Sequence, residues 1–206
     1  MSYEDAALVI VDVQNDFCPG GALGVPDGDA VVPLINGLAH RFGARVLTQD
    51  WHPPGHLSFA SSHEGMAPMS VTQLSYGDQI LWPGHCVQGS VGAAFHDELA
   101  VDTADLIIRK GFRREIDSYS AFFENDQRTA TGLAGYLRAR GFKRLFVVGL
   151  ATDFCVGSSA LDACREGFDV TLVEDACRGI DKNGSLDAMW ESMSDAGVAR
   201  VSSQAL

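Results

Sequence analysis

Six short apolar runs, separated by stretches with helical periodicity, constrain this chain more than any other feature. They lie at residues 7–13, 45–48, 106–108, 145–150, 170–173 and 198–201. Each is too short for a stable helix. The longest are nearly continuous rather than alternating, as in strands covered on both faces of a parallel sheet. Between them, apolar side chains recur at helical spacing. Val31, Leu34, Ile35, Leu38 and Phe42 form one stripe, with Pro33 near its start and Gly43 as its stop. Leu133, Tyr136 and Leu137 form a second, closed by Gly141. Val156, Ala160, Ala163 and Cys164 form a third; Leu186, Met189, Trp190 and Met193 form a fourth. This alternation predicts a single three-layer α/β/α domain over residues 1–206. It is Rossmann-like, with a mainly parallel six-stranded sheet and helices on both faces. A chain of 206 residues suits one core of that kind better than two.

Composition narrows the function classes. The formal net charge is -12, which argues against binding nucleic acid or an anionic membrane. No apolar run approaches the length that crosses a bilayer. The start of the chain enters an apolar run without a cationic leader, so no secretory signal is expected. Five cysteines, Cys18, Cys86, Cys155, Cys164 and Cys177, are widely spaced and contain no CxxC pair. That pattern fits reduced thiols in the cytoplasm, not a disulfide framework or zinc ribbon.

One stretch breaks the alternation. Residues 51–100 carry Pro53, Pro54, Pro68 and Pro83, many Gly and Ser residues, and most of the histidines. A long irregular segment inside a compact domain is usually functional. Open α/β sheets bind ligands beyond the carboxyl ends of their strands, so polar residues just after each run are the candidates. Asp12 and Asp16 follow the first run; Asp12 reads as a general base with a raised pKa or as a carboxylate held by loop amides. Asp50 and His52 follow the second and share one side of an extended backbone. With His85 they could make a two-His, one-carboxylate metal set, with His56 as a further ligand or a supporting partner. Lys110 ends the third run, its ammonium expected at the rim of the sheet, either holding Asp12 ionised or snorkelling. Cys155 follows the fourth run. Thr152 and Asp153 read as helix caps, which would put the thiol on the first helical turn. There the macrodipole favours a reactive thiolate; the alternative is a small packing cysteine. Phe17, Trp51, Trp82, Tyr119 and Phe122 lie in the same loops and could stack on a flat ring or simply pack.

Five segments in one order resemble the nicotinamidase (pyrazinamidase) branch of the isochorismatase-like cysteine hydrolases. They are Ile10-Val11-Asp12-Val13-Gln14-Asn15-Asp16-Phe17, Thr48-Gln49-Asp50-Trp51-His52-Pro53, Trp82-Pro83-Gly84-His85-Cys86-Val87, Arg109-Lys110-Gly111 and Gly149-Leu150-Ala151-Thr152-Asp153-Phe154-Cys155-Val156. The resemblance covers essentially the whole chain. It implies a catalytic triad of Asp12, Lys110 and Cys155 and an oxyanion hole from the N–H groups of Ala151 and Cys155. It implies a cis peptide between Leu150 and Ala151. It implies one divalent metal ion (Zn, Fe or Mn) on Asp50, His52 and His85, and substrate contacts from Phe17, Trp82 and Tyr119. The implied reaction converts nicotinamide, and pyrazinamide, to the acid plus ammonia through a thioester, in NAD salvage. The expected partner is a small aromatic amide, with a homo-oligomer as one possible assembly. Within the same superfamily, an amidohydrolase of N-carbamoyl or ureido substrates is the alternative. The sequence departs from some relatives at His56, which stands earlier in its loop, and carries Phe154 before the cysteine.

Overall fold

A computed structural model describes residues 2–206. Each apolar run becomes a strand: β1 (Tyr3–Val11), β2 (Phe42–Asp50), β5 (Leu106–Lys110), β6 (Arg144–Leu150), β7 (Asp169–Arg178) and β8 (Ala199–Val201). They pair in the order β5-β2-β1-β6-β7-β8, every pair parallel. The helices are α1 (Val31–Ala39), α2 (Leu133–Ala139), α3 (Gly157–Arg165) and α4 (Ser185–Asp195). Alternate residues of β1 serve two separate cores. Ala6, Leu8 and Ile10 pack with Val31, Ile35 and Leu38 of α1. Ala7, Val9 and Val11 pack with Leu133, Ala160 and Met193 from α2, α3 and α4. Covering both faces is what removes polar residues from the strands, since each fully buried Leu, Ile or Val stabilises the fold by about 1.5–3 kcal/mol.

Three local expectations need correction. Phe42 and Gly43 open β2 and do not close α1. Phe42 stacks on Tyr3, and a Cβ on Gly43 would lie 2.1 Å from the Glu4 carbonyl, so this glycine permits close strand approach. Residues 51–100 are not wholly irregular: β3 (Val71–Leu74) and β4 (Gly77–Ile80) form a small antiparallel hairpin apart from the main sheet. The segment after β6 is a π-helical turn, Thr152–Val156, and α3 begins only at Gly157.

From β1 the sheet grows first through β2 to β5, then restarts on the other side with β6. The carboxyl ends of β1 and β6 therefore flank the point where strand order reverses, where open α/β sheets leave a crevice.

Candidate active site

Asp12 is the first residue beyond β1, with φ of 48°, a left-handed conformation that Asp tolerates better than most residues. Thr48 of β2 holds it from both sides. The Asp12 N–H donates to Thr48 Oγ1 at 3.1 Å, and that hydroxyl donates to Asp12 Oδ1 at 2.6 Å. Lys110 arrives from β5 at the sheet edge, where its backbone pairs with Asp50 of β2. Its Nζ lies 2.8 Å from Asp12 Oδ2, 3.0 Å from Asp50 Oδ1, 2.7 Å from the Ser118 carbonyl and 3.4 Å from Cys155 Sγ. The ammonium is thus buried, not at the rim; only 1% of Lys110 is exposed. Burial works against its charge, but Asp12 and Asp50 outweigh that and hold its pKa well above the usual lysine range.

The same balance sets the other two groups. Burial raises the Asp12 pKa, with Lys110 opposing it. Burial also raises the Cys155 thiol well above the ordinary value; Lys110 opposes, while Asp12 and Asp50 add to the rise. The helix start is there, since the π-helical turn that holds Cys155 runs straight into α3, but burial and two carboxylates oppose a standing thiolate. Cys155 precedes α3, and the carboxylates around it disfavour a second anion. Burial and these carboxylates favour the neutral thiol, whose Sγ lies 3.4 Å from the same Lys110 Nζ that pairs with Asp12 at 2.8 Å.

A second group forms beside the first. Asp50 Oδ2 lies 3.0 Å from His52 Nε2 and 3.5 Å from His85 Nε2. Gln14 fixes the Asp50 backbone through both ends of its amide: its Nε2 donates to the Asp50 carbonyl and its Oε1 accepts the Asp50 N–H. His52 Nδ1 donates to the Gly111 carbonyl and His85 Nδ1 to the Pro83 carbonyl, each at 2.8 Å. Both rings thereby present Nε2 to one point, and the three ligand atoms lie within 4.8 Å of one another. Carbonyl-oriented imidazoles plus one carboxylate suit a divalent cation. Burial alone would raise the Asp50 pKa, yet His52 and Lys110 hold it well below the usual carboxylate value. The ligand is therefore already ionised. His56 packs 4.4 Å from the His52 ring, but both its nitrogens are used within the protein. Nδ1 meets Ser58 Oγ at 2.7 Å, and Nε2 donates to the Arg113 carbonyl at 2.8 Å.

Both groups open into one pocket lined by Cys155, Ala151, Asp50, His85 and a set of apolar side chains. Phe17, Trp82 and Tyr119 stand in its wall as the sequence suggests, joined by Phe154, Leu23, Ile180 and the carboxylate of Asp117. Trp82 meets Phe154 edge-on at 4.9 Å and donates its indole N–H to the Tyr119 hydroxyl at 3.1 Å. The peptide between Leu150 and Ala151 is cis. Two loop aromatics lie elsewhere: Phe122 is core packing against Phe168, and Trp51 carries the Arg109 guanidinium 3.9 Å from its ring. Asp16 braces the loops beside the site. Its carboxylate accepts the N–H groups of Cys86 at 2.7 Å and Ala22 at 3.2 Å, fixing the loop that delivers His85. Sequence reasoning missed Gln14, Thr48 and Asp117, polar residues at or after strand ends that carry no motif of their own. Leu23 and Ile180 left no signal, because only the fold brings them to the cavity.

The isochorismatase domain family matches residues 6–205 of the chain. A nicotinamidase of Acinetobacter baylyi is 54% identical over 200 residues, covering 97% of this chain and 94% of that protein. The solved structure of an Acinetobacter baumanii nicotinamidase/pyrazinamidase is 54% identical, with a TM-score of 0.97 over 100% of this chain and 99% of that one. A Pyrococcus horikoshii pyrazinamidase solved in complex with zinc is 37% identical, with a TM-score of 0.77 over 96% of this chain and 99% of that one.

Proposed function

The chain belongs to the isochorismatase family, and from that premise we propose that it hydrolyses the amide of nicotinamide, and of pyrazinamide, to the acid and ammonia. One observation carries the reading. A thiol, a carboxylate and an ammonium share a buried centre beside a three-ligand set, and both face one aromatic-walled cavity.

The mechanism follows from the placement of these three groups. Asp12 accepts the thiol proton as Sγ attacks the carboxamide carbon. Its raised pKa brings it nearer to that of the thiol, which makes the transfer less uphill; a positioned base of this kind gives about 10²–10⁴-fold in rate. The backbone N–H groups of Ala151 and Cys155 receive the oxyanion, one such donor being worth about 2.7–4 kcal/mol. Asp12 then returns the proton to the departing nitrogen, ammonia leaves, and Cys155 holds the acyl group as a thioester. Asp12 next deprotonates a water whose oxygen attacks the thioester carbonyl; the C–S bond breaks, the departing Cys155 sulfur takes the proton back from Asp12, and the carboxylic acid is released. Lys110 stays charged throughout and balances whichever of Asp12 and Asp50 is anionic.

Asp50, His52 and His85 would hold one divalent cation, Zn, Fe or Mn, supplying Lewis acidity and an anchor for the ring nitrogen. His56 supports His52 from behind and does not ligate. Phe17 and Trp82 would cover the ring faces, with Tyr119 steadying Trp82. The product acid fits a place in NAD salvage. A cytoplasmic setting fits five cysteines that are all free.

Ammonia release tests this directly, measured across nicotinamide, pyrazinamide and a ureido acid, with and without chelator. Turnover of the two aromatic amides that falls with chelation is expected. Turnover of the ureido acid alone would overturn the substrate assignment.

A further inference from the structure

Asp153 stands two residues before the nucleophile, yet it does not cap the helix that follows. Only 4% of it is exposed, and its carboxylate reaches across to the segment between β7 and α4. Oδ1 accepts the Ile180 N–H at 2.9 Å; Oδ2 accepts the Asp181 N–H at 2.9 Å and the Ser185 hydroxyl at 2.5 Å. This segment is also held by the Lys182 N–H to Ser185 Oγ bond at 2.9 Å, the Ser185 N–H to Lys182 carbonyl bond at 3.1 Å and the packing of Ile180 on the core. Residues 181–184 are exposed, and Asp181, Asn183 and Gly184 all have positive φ. Gly179 supplies the clearance, since a Cβ there would sit 3.2 Å from Asp153 Oδ1 and 2.9 Å from a Leu186 methyl. At one end of this strap Ile180 enters the cavity wall, where Phe17, Leu23 and Phe154 also stand.

We propose that Asp153 is a positioning residue for substrate selection: it pins the 179–185 strap so that Ile180 closes the apolar wall against an unsubstituted six-membered aromatic amide. The inference rests on the aromatic-amide reading above. The physical basis is acceptor count. Three donors converge on one carboxylate, and a buried backbone N–H that loses its acceptor does not stay in place. Asn at this position offers one acceptor oxygen and turns an NH₂ toward the remaining donors, so at least one strap N–H is released. Ile180 would then retreat from the wall while Cys155, Asp12 and Lys110 keep their own contacts, none of which involves Asp153.

The test compares kcat and KM for nicotinamide and for nicotinamides methylated on ring carbons, in wild type, Asp153→Asn, Ile180→Ala and the double variant. Ile180→Ala should raise the kcat/KM ratio of at least one methylated amide to nicotinamide by about tenfold or more, the scale of a methyl-sized change in an apolar pocket. Asp153→Asn should shift the same ratio in the same direction, with more of the change in KM than in kcat. The double variant should shift it no further than the larger single change, because both act through one side chain. If Asp153→Asn does not fold, Ser185→Ala leaves both strap N–H bonds to Asp153, removes only the hydroxyl bond to it and the Lys182 N–H bond to that hydroxyl, and should give a smaller shift of the same sign. A uniform loss across all amides, additive shifts in the double variant, or an unchanged ratio in every folding variant would overturn the proposal. Wild type that releases no ammonia from nicotinamide would remove the functional reading and this inference with it; active wild type with unmoved ratios removes the inference alone.

Discussion

The floor and the walls of the cavity are built by different means. Asp12, Asp50 and Lys110 lie at or just past the ends of three neighbouring strands, where hydrogen bonds and ion pairs lock each to the next. Phe17, Leu23, Trp82, Tyr119 and Ile180 come from connecting segments and meet mainly through apolar edges. A site that must hold reacting atoms within fractions of an ångström gains from rigid strands, while substrate shape can be set by segments that vary more freely. The difference predicts that floor substitutions act on kcat or stability and wall substitutions act on KM.

Cys155→Ala tests the floor most severely. Turnover should fall by about 10⁴-fold or more, since nothing else in the cavity can form the acyl intermediate. Metal content measured on the purified variant should stay at the wild-type level, because Sγ is not among the converging ligand atoms. Near-normal amidase activity in this variant would refute covalent catalysis.

Lys110→Met separates stability from chemistry. It removes the ammonium that lies between Asp12 Oδ2 and Asp50 Oδ1 in a buried site, leaving these two carboxylate oxygens without it. Breaking one side of such a pair typically costs about 3–5 kcal/mol, readable as a lowered denaturant midpoint. A midpoint close to wild type would mean that solvent or a cation already compensates these carboxylates.

Much of the floor was legible before any coordinates, and the reason is physical. Asp12 interrupts an apolar run while Asp50, His52 and Lys110 closely follow one, and a polar residue there needs a partner or a purpose. The sheet was legible too, because strands buried on both faces leave a nearly continuous apolar signature. The walls were less so. Phe17, Trp82 and Tyr119 entered through resemblance, while Leu23 and Ile180 are ordinary apolar residues whose role exists only once β1 and β7 lie on opposite sides of β6. Local pattern also misjudged the turn at Cys155, because Thr152 and Asp153 have the composition of a helix cap while the Asp153 carboxylate is committed to residues 27 to 32 positions away.

Gly111→Ala sharpens the boundary between the strand ends and the segments that follow them. Gly111 has φ of +63°, and a Cβ there would lie 2.5 Å from His52 Cε1 and 2.8 Å from its Nδ1. The imidazole must then shift, losing its bond to the Gly111 carbonyl and its aim toward Asp50. Disturbing such a supporting contact typically weakens metal affinity by about 10–100-fold. Competition with a chelator measures that, and an unchanged affinity would show that His52 is not oriented through this carbonyl.

Tyr119→Phe should give the smallest effect and the clearest contrast. The hydroxyl touches no member of the floor; it accepts the Trp82 indole N–H at 3.1 Å and the Gln79 amide at 3.2 Å. Removing it leaves a buried indole N–H without its acceptor and frees Trp82 to tilt against Phe154. A hydrogen bond of this kind contributes about 0.5–1.5 kcal/mol, so KM for nicotinamide should rise by roughly twofold to tenfold. Because Asp12, Lys110 and Cys155 keep every contact described for them, kcat should stay within about twofold of wild type, as expected when only uniform substrate binding is lost. Steady-state kinetics on the two proteins decide it. A fall in kcat with unchanged KM would place Tyr119 with the floor, and the division between a strand-built reaction centre and a loop-built substrate wall would not hold.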